Sequence, residues 1–334
     1  MISRTAADCQ IPDWRQEMAR AITDPRELLQ LLELPLSLLP AARAAARSFG
    51  LRVPRSYLAL MKKGAADDPL LRQILPVHEE LRETPGYCDD PVGDLGAVQG
   101  AGILAKYAGR SLLLASAACA VHCRYCFRRA FPYGEHLAGR HGWHQSLETL
   151  RRRPDVSEII LSGGDPLSLD DSRLAELIAD LGDIPHLQRL RIHTRLPVVI
   201  PRRITPGLID TLGNSRLRPV MVLHFNHPRE LADPVSERLA GLRPVCPLLN
   251  QTVLLRGVND DVATLAQLSE RLFDSGVLPY YIHLLDRVQG AAHFEVDEAA
   301  ARTLMAALRR ALPGYLTPRL VKEQEGEPAK TLIA

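Results

Sequence analysis

The sequence lacks the features of a membrane-spanning, exported or nucleic-acid-binding protein. No apolar stretch approaches the roughly 20 residues of a membrane span. The amino terminus carries Asp8, Asp13 and Glu17 and has no apolar segment of the kind found in signal peptides. Neither sign of charge is in excess, because 41 lysines and arginines face 39 aspartates and glutamates, for a net charge of +2. This balance argues against a nucleic acid or an anionic membrane as the main partner.

Cysteine is also scarce, and its distribution excludes a disulfide framework. Three of the six cysteines, Cys119, Cys123 and Cys126, fall within eight residues, whereas the other three stand alone. Small secreted proteins instead depend on several spaced cysteine pairs. We therefore expect a reducing, cytoplasmic environment.

The spacing of the three neighbouring cysteines predicts an iron–sulfur site. They stand at i, i+4 and i+7, so that one short loop can turn all three sulfurs inward. Iron–sulfur clusters normally have four cysteine ligands, and three would leave one iron open to a substrate or cofactor. A structural zinc ion needs four ligands, usually as two cysteine pairs, and the chain has no second pair. Zinc and three unrelated core cysteines are the alternatives.

The remainder of the pattern predicts a helical region followed by an α/β domain. Helices are expected to start at Asp24-Pro25 and to cover Leu38–Ser48 and Ser56–Lys63, before a linker rich in Gly, Pro and Asp over residues 85–102. Six short apolar runs then alternate with helical stretches, which favours parallel strands with right-handed crossovers. An open doubly wound sheet and an incomplete barrel both fit. The expected strands are Ser111–Ala115, Glu158–Leu161, Leu190–His193, Val220–Phe225, Asn250–Leu255 and Tyr280–Leu285. The expected helices are Ser146–Arg153, Ser172–Leu181, Pro206–Asn214, Pro234–Leu242, Val262–Ser275 and Asp297–Ala311.

Polar residues gather at the ends of these runs, where parallel α/β folds collect their chemistry. A single histidine at a strand end is more often structural, but a whole set at one barrel mouth indicates a site. The set comprises the cysteine loop, Gly163–Asp165, His193–Arg195, His224–His227, Asn250, Gln251 and Asp286.

Two motifs in order resemble a known superfamily. The C-x3-C-x2-C loop followed by Ser162-Gly163-Gly164-Asp165-Pro166 resembles the radical S-adenosylmethionine (SAM) enzymes, and the string from Cys123 to Arg129 resembles the lysine 2,3-aminomutase family. The resemblance implies an isomerase with a partial (β/α)6 TIM-like barrel over residues 101–312. A helical region and linker would precede it at 1–100, and a tail would follow at 313–334.

The resemblance also implies the cofactors. Cys119, Cys123 and Cys126 would hold a [4Fe–4S] cluster. The residues expected to contact SAM are Gly163, Gly164, Asp165, His224 and Gln251. Pyridoxal 5′-phosphate (PLP) would be bound covalently by Lys330, and its phosphate by Lys106 and Arg110, placed just before the first strand. An external one-electron reductant of the flavodoxin or ferredoxin kind would feed the cluster.

Substrate recognition is implied in the same way. Arg128 corresponds to the arginine that holds the substrate carboxylate, whereas Asp286 and Glu323 stand where the family binds the side-chain ammonium of lysine. The reaction would move the amino group of L-lysine from C2 to C3. A mutase for another amino acid, such as glutamate or arginine, and a non-enzymatic iron–sulfur electron carrier are the alternatives.

Two departures from the pattern of the lysine 2,3-aminomutase family indicate which type of aminomutase the chain resembles. Asp261 stands where the clostridial type has a zinc-binding cysteine, and a cysteine-bearing extension after Lys330 is absent. No structural zinc is therefore expected. The chain most resembles the bacterial mutases that supply (R)-β-lysine for modification of elongation factor P, to which a separate ligase attaches it. A catabolic or biosynthetic lysine 2,3-aminomutase shares the same site, and direct contact with elongation factor P is left open.

Overall fold

The structure is a computed structural model that describes residues 13–100, 102–137 and 143–334. The predictions that concern Asp8 and the barrel boundary at residue 101 lie outside these residues. The first part of the chain is helical, as expected. Its helices are α1 (Trp14–Ala19), α2 (Pro25–Leu31), α3 (Leu39–Ser48), α4 (Arg55–Leu58) and α5 (Pro69–Arg72).

Aspartate caps set the starts of several of these helices. Asp24 accepts a hydrogen bond from the Arg26 amide at 2.9 Å, which confirms the predicted start of α2. The helix predicted over Ser56–Lys63 was wrong in length, because α4 ends at Leu58. Beyond it, the Lys62 amide donates to the Asp68 carboxylate at 2.9 Å, a bond that lies outside the helical pattern.

Among the described residues, one sheet of nine strands follows. The order is sequential from β1 to β9, and β2 to β8 are parallel, whereas β1 and β9 pair antiparallel at the two ends. A sequential parallel order is that of a barrel and not of a doubly wound sheet, in which the order reverses. The strands are β1 (Ile103–Tyr107), β2 (Arg110–Ser116), β3 (Glu158–Gly163), β4 (Arg189–Thr194), β5 (Arg218–Leu223), β6 (Leu248–Val253), β7 (Val277–His283), β8 (Arg319–Lys322) and β9 (Thr331–Leu332).

The fold is thus an α/β partial barrel with helices as the crossovers. In the part of the chain that the structure describes, no helix has both the length and the apolarity to cross a membrane. The helices are α6 (Tyr133–His136), α7 (His144–Arg151), α8 (Asp171–Gly182), α9 (Leu196–Val199), α10 (Pro206–Gly213), α11 (Asp233–Leu242), α12 (Val262–Asp274) and α13 (Glu298–Ala311).

The predicted strands all recur as β2 to β7, shifted by a few residues at their ends. Three further strands were missed, namely β1, β8 and β9. The prediction that Lys106 and Arg110 precede the first strand was wrong. Lys106 lies within β1 and Arg110 begins β2, because Gly109 adopts a φ of +74° and closes a tight hairpin between them.

The core lies between the strands and the surrounding helices. Every residue of β3 is buried, as expected for a parallel strand covered on both faces. Leucines of α8 and α12 pack against the sheet and remove their apolar stripes from water. This packing fixes the positions of the strand ends. The cavity described below lies at the carboxyl ends of the strands.

Candidate active site

One large cavity lies at the carboxyl ends of the strands. Its volume is about 510 Å³, within the range of small-molecule sites. All fourteen residues to which the sequence analysis assigned a cofactor or substrate role line it. These are Lys106, Arg110, Cys119, Cys123, Cys126, Arg128, Gly163, Gly164, Asp165, His224, Gln251, Asp286, Glu323 and Lys330.

The cysteine loop leaves β2 and is held from outside by a buried ion pair. Arg124 donates to both carboxylate oxygens of Glu80, at 2.9 and 2.6 Å, and neither side chain is exposed. Arg129 adds a bond to the same carboxylate at 2.7 Å. Glu80 belongs to a 3₁₀ turn of the helical region, over His78–Leu81. The N-terminal region therefore braces the loop that carries the thiols.

Burial raises the pKa of the Cys119 thiol, and it raises the pKa of Cys126 to about 11. Such thiols ionise only beside a compensating positive charge, such as that of iron. Within the described residues, no three His, Cys, Asp or Glu side chains converge around a point suited to one metal ion. A cluster does not require such convergence, because each thiolate binds a different iron atom. The three thiols therefore fit a cluster better than a single ion.

Two glycines bring the end of β3 against the start of the cysteine loop. Gly163 has a φ of +122°, and a Cβ there would lie 2.2 Å from the Ser116 carbonyl oxygen. A Cβ on Gly164 would lie 2.6 Å from the backbone of residues 117 and 118. The Gly164 amide donates to the Ser116 carbonyl at 2.7 Å. The glycine motif and the thiol loop are thus joined through their backbones, in a space that no side chain could share.

Asp165 is engaged by the protein on both of its carboxylate oxygens. They accept hydrogen bonds from the Thr194 hydroxyl at 2.7 and 2.9 Å and from the Arg195 and Leu196 amides at 2.8 and 2.9 Å. Burial raises the pKa of this carboxyl, whereas the donors lower it. Asp165 therefore links the loops that follow β3 and β4. Its contact with SAM stays a prediction, and these hydrogen bonds do not favour it, because both oxygens already have donors.

A second buried network lies beneath the thiols, and it links Arg195 and His224 of the predicted set to Glu230, which was not predicted. Arg195 donates to the Cys123 sulfur at 2.9 Å and to the Glu230 carboxylate at 2.8 Å, and it also bonds the Tyr125 hydroxyl. His224 lies 3.1 Å from that hydroxyl and stacks on the Tyr125 ring. Burial lowers the pKa of His224 to about 3, so that it is neutral.

Opposite charges alternate along the other side of the cavity. Arg128 contacts Asp94, Asp94 contacts Lys106, Lys106 contacts Glu323, and Glu323 contacts Lys330. The two contacts of Glu323 measure 3.2 Å to Lys106 and 2.6 Å to Lys330. All five of these charged side chains are at least partly buried. Asp94 is the only member that was not predicted, because it lies in the segment interpreted as a linker.

Asp286 completes this charged wall after β7. Burial and, to a smaller extent, the nearby Glu323 raise its pKa to about 7, although Lys330 and Lys106 oppose the shift. Arg110 stacks over the Tyr107 ring, with its Cζ 4.8 Å from the ring centre. The cavity therefore presents cations and carboxyls in close alternation.

Arg195 Nε and three other buried nitrogens of cavity-lining side chains have no hydrogen-bond partner among the described residues. The three others are the Nε2 atoms of His193, Gln251 and His283. Burial lowers the pKa of both histidines. Buried polar atoms normally find partners, so these three fit a polar organic ligand.

Comparison with known proteins agrees with this geometry. No family model matches the chain. The chain is 49% identical over 321 residues to the L-lysine 2,3-aminomutase of Escherichia coli strain K12. The aligned region covers 96% of this chain and 94% of that protein. The chain belongs to the lysine 2,3-aminomutase family. The Haemophilus influenzae member is 45% identical over 96% of both chains. A radical SAM methyltransferase from Sphaerobacter thermophilus is similar in structure, with a TM-score of 0.41 and 19% sequence identity. The match covers 66% of this chain and 68% of the methyltransferase chain.

Aminomutases are isomerases, so the chain is an isomerase of the aminomutase class. A [4Fe–4S] cluster and SAM are the groups that its thiol loop and glycine motif fit. The residues that sequence reasoning missed are Glu80, Asp94 and Glu230, whereas Tyr125 and Arg195 belonged to the predicted set but were given no role. Each acts through a partner far away in the chain, and spacing within the sequence carries no signal for such contacts.

Proposed function

We propose that the enzyme converts (S)-α-lysine to (R)-β-lysine with PLP as a third cofactor. One observation carries this proposal: the cavity that contains the three thiols also contains charges complementary to lysine. Arg128 suits the substrate carboxylate, and Asp286 with Glu323 suits a side-chain ammonium. Asp286 has no ion-pair partner among the described residues, so a neutral side chain would leave its carboxylate without a partner in the cavity, which is costly.

Lys330 is the proposed attachment point for PLP. Its ammonium lies in the cavity at 2.6 Å from Glu323, and it precedes β9, which pairs with β8. Lys106 and Arg110 supply two cations for the phosphate, and they lie across the β1–β2 hairpin from one another. When bound, the cluster, SAM and PLP supply hydrogen-atom abstraction and a carrier for the migrating amine.

The protein's own task is to bind, orient and exclude water. Arg128 would hold the carboxylate end of lysine while Asp286 and Glu323 hold the ammonium end, so that the intervening carbons are fixed. Asp286 must be ionised to do so, and an arriving ammonium would lower its raised pKa. His224, Gln251 and the glycine motif would orient SAM beside the thiol loop.

The cellular role follows from the type of enzyme that the chain resembles. We infer that the product serves the modification of elongation factor P through a separate ligase, in the cytoplasm, with a flavodoxin- or ferredoxin-like electron donor. The net charge of +2 agrees with a small-molecule substrate.

Anaerobic reconstitution tests the proposed reaction. The protein would be loaded with iron, sulfide, SAM and PLP, reduced, and supplied with lysine, arginine or glutamate, with chiral chromatography as the readout. (R)-β-Lysine from lysine alone is the expected result. Turnover of arginine or glutamate in preference to lysine, or turnover of lysine without PLP, would refute the proposal.

A further inference from the structure

Asp94 enters the cavity from the segment that the sequence predicted to be a linker. The Asp90 carboxylate accepts hydrogen bonds from the Asp94 and Leu95 amides, each at 2.8 Å. Gly93 has a φ of +66°, and a Cβ there would lie 2.6 Å from the Glu325 side chain. The turn is thus held by its own hydrogen bonds and packs against the C-terminal segment, which fixes where Asp94 stands.

Asp94 is 1% exposed, and its carboxylate lies between two cations. One oxygen accepts a hydrogen bond from Arg128 Nε at 2.5 Å, and the other pairs with the Lys106 ammonium. The positive charges of the two partners balance the negative charge of this buried carboxylate. Because the pairing is buried, it also holds each partner in one orientation.

The contacts of Arg128 limit how it can bind a ligand. Its Nη1 donates to the Ser162 hydroxyl at 3.0 Å, and its guanidinium lies over the Phe127 ring. In the described ranges Nη2 has no hydrogen-bond partner, and Arg128 lines the cavity. Because Asp94 occupies Nε, an incoming carboxylate can reach only the terminal nitrogens.

We propose that Asp94 is a positioning residue for the substrate carboxylate. It orients the Arg128 guanidinium so that the terminal nitrogens bind an α-amino acid carboxylate from one direction. The inference rests on the proposed function, and it adds a specificity residue to it. Lys106 keeps two other contacts, to Glu323 and to the Val92 carbonyl, so its place depends less on Asp94.

The effect of a positioning residue differs from that of a merely structural one. Loss of a structural residue weakens the binding of every ligand, because the whole cavity is disturbed. Loss of the Asp94 charge misorients one guanidinium, and it weakens only ligands that carry a carboxylate. A diamine without a carboxylate separates the two cases.

The test compares reconstituted wild type, Asp94→Asn and the control Asp89→Asn, whose side chain is exposed. KM and kcat are measured for lysine, and Ki is measured for 1,5-diaminopentane as a competitive inhibitor. In Asp94→Asn we expect KM to rise about tenfold or more, the loss typical of one charge-assisted hydrogen bond. The Ki of the diamine should stay within about twofold of wild type, and Asp89→Asn should match wild type in both values.

Two results would overturn the inference: an unchanged KM in a variant with normal iron and PLP contents, or equal rises in KM and Ki. Should Asp94→Asn fail to retain iron, Asp94→Glu is used, since it keeps the charge but moves it by one methylene. The same split is expected, and a wild-type KM would overturn the inference. Failure of wild type to isomerise lysine would refute the proposed function itself, whereas wild-type turnover with an unaffected variant would refute only the role of Asp94.

Discussion

The Lys330 ammonium lies 2.6 Å from one carboxylate oxygen of Glu323, seven residues earlier in the chain. The other oxygen of Glu323 lies 3.2 Å from the Lys106 ammonium. Burial raises the pKa of Glu323, but the two lysines outweigh it and hold the pKa at about 2. This carboxylate therefore joins the C-terminal segment to β1, and it keeps Lys330 inside the cavity.

Replacement of Lys330 by alanine tests its proposed link to PLP. We expect Lys330→Ala to lose turnover, because the variant lacks the amine proposed to bind PLP, while the iron content and the cluster spectrum remain those of wild type. The neighbouring Lys322→Ala is the matched control, since no ion pair of Lys322 occurs among the described residues. Retention of full activity in Lys330→Ala would contradict the assignment.

The raised pKa of Asp286 predicts a pH dependence of substrate binding. Its carboxyl titrates at about 7, and only the ionised form attracts an ammonium. The KM for lysine should therefore fall as pH rises through about 7. In Asp286→Asn this trend should disappear and turnover should drop by about 100-fold or more, the loss expected of a missing buried charge partner. A wild-type pH profile in that variant would exclude Asp286 from substrate binding.

The same carboxyl affects folding stability in a defined direction. Its folded-state pKa of about 7 exceeds the ordinary value of 3.8, so the folded chain binds more protons between these values. Its contribution to stability is present at low pH and is lost as pH rises toward 7. The melting temperature of Asp286→Asn, relative to wild type, should therefore be higher at pH 8 than at pH 5. A pH-independent difference between the two proteins would contradict the shifted pKa.

Local patterns were sufficient to predict much of the fold. The runs that became β2 to β7 are apolar and are bounded by helices, so alternation alone revealed them. The four-residue strand β8 contains Arg319 and Lys322, and its identity depends on pairing with β7. The hairpin strand β1 and the two-residue strand β9 likewise exist only through their neighbours, and the sequence offers no local sign of either.

Part of the candidate site was predictable from the sequence, and part of it was not. The thiols and glycines have diagnostic spacing, so their presence in one cavity agrees with expectation. Glu80 and Asp94 have no such spacing, since their arginine partners stand 44 and 34 residues further along the chain. Their importance comes from burial beside one particular cation, which only the folded chain reveals.

The close backbone contact at Gly163 predicts the effect of a methyl group there. Gly163→Ala places Cβ 2.2 Å from the Ser116 carbonyl oxygen at a φ that side chains rarely adopt. We expect a loss of about 3 kcal/mol of stability and a displaced thiol loop with reduced SAM affinity. Gly134→Ala is the control, because a Cβ there meets no atom within 4 Å. Equal melting temperatures and equal SAM binding in the two variants would contradict the packing argument.

The buried pair of Glu80 and Arg124 predicts that cluster retention depends on the helical region. Glu80→Gln removes the charge that both Arg124 and Arg129 share, and a buried pair broken on one side typically costs about 3–5 kcal/mol. Because Arg124 lies within the thiol loop, we expect the variant to hold less iron after reconstitution and to melt at a lower temperature. Glu79→Gln alters an exposed neighbour and should behave as wild type. A Glu80→Gln protein with full iron content and unchanged stability would mean that the loop holds its shape without this brace, and that the thiols alone organise the cluster site.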